Sequence, residues 1–169
     1  MKGKWAQGIE PRNFTWIMRD QLAMCERPGG YGVNHRRVRR QEEIIWIREN
    51  GFDVVISLIP SPHNLHNYDE LGVEYQHLPF NGPSDGVAVL RDLFTAITAH
   101  LEAGRKVLVH REELGDHVSG LLAGYLRYTG LISTGPEVIV AMEQLASRPL
   151  GPLGRELVTT AEAMIEDDG

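Results

Sequence analysis

An α/β fold, with a central, mostly parallel twisted sheet flanked by helices, is predicted by three features of this 169-residue sequence. Two runs, Asp53-Val-Val-Ile-Ser-Leu58 and Lys106-Val-Leu-Val-His110, are apolar without alternation, the pattern of strands covered on both faces. Leu90, Leu93, Phe94, Ile97 and Leu101 recur at three- and four-residue spacing, the period of one apolar helix face. Strand-like and helix-like segments alternate along the chain, which implies parallel strands joined by helical crossovers.

Taken in order, Phe14–Met18 reads as a short strand with Gln21–Met24 as its hairpin partner. Arg27-Pro-Gly-Gly30 is a loop, because Pro and paired Gly interrupt either regular structure. Asn34 is placed to cap a helix from about His35 to Asn50, and Gly51 follows where a left-handed residue is favoured. The strand Asp53–Leu58 is ended by Pro60 and Pro62, and Val73–Phe80 reads as another strand. His63 and His66 fall in a Pro/Asn-rich surface loop, while Trp16 and Trp46 are expected to pack in the core. Val87–Ala103 carries the apolar helix face and Gly104 closes it. After Lys106–His110 come a polar loop, a helix over about Ser119–Thr129, and helices over Pro136–Ser147 and Leu153–Ile165. No repeat or linker interrupts the chain, so a polar segment 1–12 ahead of a single domain over 13–169 is expected.

Composition excludes some functions. A net charge of −6 and a pI near 5.6 give no general affinity for nucleic acid. The exception is the cluster Arg36, Arg37, Arg39 and Arg40, which is either an anion patch or, more commonly for such runs, a solvated helix face. Cys25 is the single cysteine, so no intramolecular disulfide forms and a reducing cytoplasm is the expected location. No stretch has 18 consecutive apolar residues, and Met1–Arg12 is polar, so neither a membrane span nor a signal peptide is expected.

In sheets of this kind ligands bind beyond the carboxyl ends of the strands, which points to the loop after Val109. That segment, Lys106-Val-Leu-Val-His-Arg-Glu-Glu-Leu-Gly-Asp-His-Val-Ser-Gly120 and its helix, resembles the signature of protein-tyrosine and dual-specificity phosphatases. The signature is an apolar strand, His-Cys, five residues, Arg, Ser or Thr, and Gly, then a helix ending in Gly. His110, Gly115, Ser119, Gly120, Ala123, Tyr125, Leu126 and Gly130 match it once one extra residue is allowed. Asn13–Met18 with Leu22-Ala23 and Arg27-Pro28 resembles the opening hairpin of small phosphatases. Gly51–Leu58 and Leu71–Phe80 resemble two of their strands, so the likeness covers residues 13–150.

The resemblance implies the phosphatase fold and a chemistry these residues do not supply. In the family a thiolate attacks phosphorus. Its place is taken by Arg111, which stays protonated and is no nucleophile. The family's phosphate-clamping arginine corresponds to Val118, or to His117 without a gap, and its general acid corresponds to Gly82, with Asp85 three residues later. The resemblance therefore implies a catalytically inactive phosphatase-fold protein, a pseudophosphatase that binds or regulates a protein partner. The expected contacts are Arg111, Glu112, Glu113, Gly115, Asp116, His117, Ser119 and Gly120 in the loop, the patch at Arg36, Arg37 and Arg40, or both. The alternative is an enzyme with altered chemistry on a phosphorylated or other anionic substrate, using His110, Asp116, His117 or Asp85.

No cofactor and no metal are expected, since the His and acidic residues of the loop lack an i, i+4 ligand pair with a remote third partner. Backbone N–H groups at the helix start and Arg111 favour an anion, while Glu112, Glu113 and Asp116 oppose it. Weak anion binding at most is expected of residues 110–120, with the loop collapsed or filled by its own acids.

Overall fold

The structure is a computed structural model and describes residues 7–30 and 37–169. Asn34, His35 and Arg36, where the first helix was expected to begin, lie outside the described residues. The strands are β1 (Thr15–Met18), β2 (Leu22–Glu26), β3 (Val54–Ser57), β4 (Tyr75–His77) and β5 (Val107–Arg111). The helices are α1 (Arg37–Glu49), α2 (His66–Glu70), α3 (Val87–Glu102), α4 (Asp116–Tyr128), α5 (Gly135–Ala146) and α6 (Pro152–Asp168), with a 3-10 turn at Pro83–Asp85. Among the described residues the sheet has five strands in the order β1-β2-β5-β3-β4. Of these described pairs β1–β2 is antiparallel and the other three are parallel. This is the mixed α/β, mostly parallel arrangement that the alternating segments imply.

Three local expectations are corrected. Helix α2 occupies part of the stretch read as a loop, because five residues are too few to show a 3.6-residue period. Strand β4 keeps only Tyr75–His77 of the expected Val73–Phe80. Helix α4 begins at Asp116, three residues before Ser119, with Gly115 extended ahead of it and the Ser119 N–H bonded to the Gly115 carbonyl at 3.0 Å.

The described residues form two compact units, one from those up to Pro79 together with Ile97–Leu114, the other from Phe80–Ala96 and Gly115–Gly169. The first holds the sheet. Ala23, Cys25, Val55 and Leu108 pack there against Ile44 and Ile47 of α1 and against Leu65 and Tyr68 at α2. Trp16 and Trp46 pack on this core as expected, Trp16 stacked on Phe52 at 5.6 Å and Phe14 edge-on to Trp46 at 5.0 Å. The Lys106 ammonium sits 4.8 Å from the Phe52 ring centre, a cation–π contact that shields the cluster. Gly51 takes the left-handed conformation (φ 79°) that ends α1.

In the second unit α4 crosses α6 at two glycines. A Cβ added to Gly120 would lie 2.6 Å from the Gly154 Cα, so only hydrogen permits the crossing. Phe94 of α3 packs on Tyr125 at 5.7 Å and stacks on Tyr128 at 5.2 Å. None of the described helices is long and apolar enough to cross a membrane.

Candidate functional site

Parallel strands gather their carboxyl ends on one edge, and β2, β5 and β3 end side by side. The register sets Cys25 opposite His110 and His110 opposite Ser57. Side chains alternate between faces along a strand. Ala23, Val55 and Leu108 face the α1 core, so Cys25, Ser57 and His110, each two residues further on, form a row on that same face. All three are sealed, at 0%, 0% and 1% exposure.

Burial pushes the His110 pKa down to about 4, so the imidazole is neutral near pH 7. Its Nδ1 lies 3.4 Å from the Arg111 carbonyl, which only accepts, so Nδ1 carries the hydrogen. Nε2 is then the acceptor and the Tyr68 hydroxyl donates to it at 3.1 Å. Burial holds the Tyr68 phenol well above its ordinary pKa. Burial, with Glu43 and Glu26 nearby, does the same to the Cys25 thiol. A thiol kept protonated in the core is inert, so Cys25 is a packing residue. His110, offered as a base in the alternative reading, is closed to solvent and engaged with Tyr68.

The loop that follows divides its residues. Arg111 still belongs to β5 and is half-buried, Glu112 is half-buried, Glu113 is exposed and Leu114 is buried. Glu112 acts on the charge of Arg27 and Glu113 on that of Glu26, which places both acids by the end of β2.

Asp116 was expected among the loop acids and beside His117. Instead its Oδ1 accepts from the Gly151 N–H at 3.0 Å and its Oδ2 from the Gly154 N–H at 3.1 Å. The carboxylate thus caps α6, whose own N-cap, Gly151, has no side chain to do so. Orphan N–H groups and the positive end of a helix dipole are a strong sink for a carboxylate, stronger than a neighbouring imidazole. Asp116→Ala is expected to cost about 1 kcal/mol of stability in urea unfolding, and Asp116→Asn, which keeps an acceptor, less.

His117 is half-buried against Gly82: a Cβ on Gly82 would lie 3.7 Å from its Cδ2 and Nε2. Gly82 itself has φ 114°, a conformation that disfavours any side chain. The Asp85 carboxylate accepts from the Asn81 N–H at 2.7 Å and closes its own turn. Val118, Ser119 and Gly120 are buried in α4. Among the described residues no group of three or more His, Cys, Asp or Glu is arranged to hold a metal ion.

The arginine run also divides, because successive helix positions turn by about 100°. Arg37 is exposed. Arg39 pairs with the buried Glu43 at 2.8 Å, and Glu43 also accepts from the Gly29 N–H. Arg40 departs from a solvated face: it is 8% exposed, and its Nε donates to Asn67 Oδ1 at 2.5 Å. Arg27, Asn67 and Tyr68 were not among the candidate residues, and no local spacing marks them.

The structure resembles solved phosphatases along nearly its whole length. Kinase associated phosphatase, with its catalytic-site cysteine replaced by serine, superposes with a TM-score of 0.75 at 18% identity, over 92% of this chain and 97% of that one. The fold is a phosphatase fold. Tk-PTP in its active form gives a TM-score of 0.70 at 20% identity, over 89% of this chain and 97% of that chain. Human DUSP28 gives 0.67 at 16% identity, over 94% of this chain and 100% of that one. No family model matches the chain, and no curated protein matches it in sequence. Gly82 and His117, the residues expected at the general-acid and gapless clamp positions, lie against each other.

Proposed function

We propose that this chain is a pseudophosphatase: a phosphatase fold used to bind a protein partner in the cytoplasm rather than to transfer phosphate. The observation that carries the reading is the occupancy of the reaction positions. An arginine stands where the thiolate is required. The acid position is a glycine in a left-handed conformation. The carboxylate at the start of α4 is committed to capping α6. Buried Cys25, protonated and within the hairpin, is no substitute nucleophile. His117 lies against Gly82, a position that itself carries no hydroxyl or thiol. Neither nucleic acid nor a membrane is the partner, given the net charge of −6 and the composition.

The purified protein is expected to show no turnover of p-nitrophenyl phosphate or of phosphotyrosine and phosphoserine peptides above a buffer blank. Arg111→Cys supplies a thiol but neither clamp nor acid. General acid catalysis is worth about 10²–10⁴ and one oxyanion donor about 10²–10³. The variant should therefore remain slower than a complete phosphatase by about 10⁴-fold or more. Wild-type turnover that vanishes in Arg111→Ala would overturn the reading.

A further inference from the structure

The carboxyl ends of the parallel strands carry a second feature, on the face of the sheet opposite the one from which Arg111 projects. A cleft there is lined by Arg27, Arg40, His63, Asn64, Tyr68 and His110. Its free interior is about 10 Å³, room for one water-sized group, and it is open to solvent on one side. Arg27 follows β2 and Arg40 comes from α1, so two guanidinium groups line one partly enclosed space.

Both are positioned by other residues. The Arg27 NH2 donates to the His63 carbonyl at 3.1 Å, which ties the loop after β3 to the cleft. Arg40 is oriented by Asn67, which is 1% exposed and whose Nδ2 donates to Glu70 Oε2 at 3.0 Å. The arrangement is electrostatically costly as it stands. Burial lowers the pKa of Arg27 and of Arg40, and Arg27 and Arg37 each repel the charge on Arg40. Glu112 acts on Arg27 and Glu70 on Arg40. Among the described residues no carboxylate lies within 4.0 Å of the Arg27 guanidinium, and its one direct partner there is a neutral carbonyl. The floor adds no charge: His110 is neutral and accepts from Tyr68.

Two like charges held together at the edge of a core are stabilised by an anion that spans both. A carboxylate supplies one charge, whereas a phosphate monoester supplies nearly two and three acceptor oxygens matched to guanidinium forks. The interior is too small for more than the tip of such a group, so its substituent must point out through the open side.

We propose that the Arg27–Arg40 cleft binds a phosphate monoester carried on a phosphorylated side chain of a protein partner. This rests on reading the chain as a binding module, and it moves the phosphate site from the signature loop to the opposite face of the same strand ends.

The test is a titration at constant ionic strength, followed by amide NMR shifts and thermal unfolding. The probes are inorganic phosphate, a phosphoserine peptide and the same peptide unphosphorylated, with chloride as the control anion. Wild type and Arg19→Gln, an exposed turn position outside the cleft, are expected to bind phosphate and phosphopeptide equally well. Arg27→Gln should bind both at least 10-fold more weakly, and Arg27→Lys should fall between. Circular dichroism confirms the fold of each variant, and Arg27→Lys keeps the test decisive if Arg27→Gln does not fold. Phosphate binding that survives Arg27→Gln, or no phosphate binding by wild type, overturns the cleft. Phosphopeptide binding no tighter than that of the unphosphorylated peptide overturns the protein-borne source. Turnover of p-nitrophenyl phosphate by wild type would instead overturn the pseudophosphatase reading and leave the cleft standing.

Discussion

Lowering the pH from 6.5 to 4 is expected to cost the folded protein about 3 kcal/mol through His110 alone. An unfolded histidine titrates at its ordinary 6.5, whereas burial holds the folded His110 at about 4. Between those values the unfolded chain binds a proton that the native chain refuses, so stability falls as pH falls. Each pKa unit corresponds to about 1.4 kcal/mol, and the difference of 6.5 − 4 sets the total. The side chain is 1% exposed, so solvent screening removes little of this. Glu26 acts in the opposite sense: burial raises its folded pKa, and the resulting penalty is relieved as pH falls. The His110 contribution is therefore isolated by comparison with His110→Gln, whose amide still accepts from Tyr68 and does not titrate. Urea unfolding across this range should show the wild type losing about 3 kcal/mol relative to the variant, with unchanged m-values. Parallel curves would mean that the folded protein admits a proton at His110, contrary to the sealed row at the strand ends.

Gly120→Ala is expected to lower stability by about 2 kcal/mol, the second large effect. The new methyl would meet the Gly154 Cα at 2.6 Å, Leu157 Cδ1 at 3.0 Å and the Gly154 carbonyl at 3.2 Å. Two of these three contacts are backbone, which no rotamer change relieves, so α4 and α6 must move apart. Overpacking of this kind costs about 3 kcal/mol. Replacing a mid-helix glycine by alanine returns about 1 kcal/mol of helix propensity. Gly124, one turn further along α4, provides the comparison. Its nearest neighbours would be the Leu157 carbonyl at 3.3 Å and Phe94 Cζ at 3.4 Å. Gly124→Ala should therefore be close to neutral in the same unfolding measurement. Equal effects at the two sites would show that the crossing yields more easily than its backbone contact implies.

Both predictions concern residues the sequence had already singled out, for reasons that differ from those the structure gives. Gly120 and His110 stood out as positions matching a phosphatase signature. The helix crossing that requires Gly120 involves Gly154, 34 positions away, and the hydrogen bond to the buried His110 ring comes from Tyr68, 42 positions away. Asp116 shows the same limit. Beside His117 in sequence it suggests a carboxylate–imidazole pair, yet its oxygens are taken by backbone N–H groups 35 and 38 positions on. The arginine run was legible as charge but not as geometry, because its members differ in burial around the helix. Arg27 was invisible as a candidate, since a single arginine after a strand has no pattern.

The sequence by itself determined the α/β class, because continuous apolar runs and a helical apolar period report burial through local spacing alone. The resemblance to the phosphatase signature also set the expectation that Arg111 stands at the thiolate position and Gly82 at the acid position, since residue identity requires no coordinates. Only the tertiary structure decided where the charges go: Asp116 to the start of α6, Glu43 to Arg39 and Gly29, and Arg40 into a cleft with Arg27. Charges are placed by desolvation and by the nearest orphan donor or acceptor. Those partners come from distant parts of the chain, brought close only when the strands align.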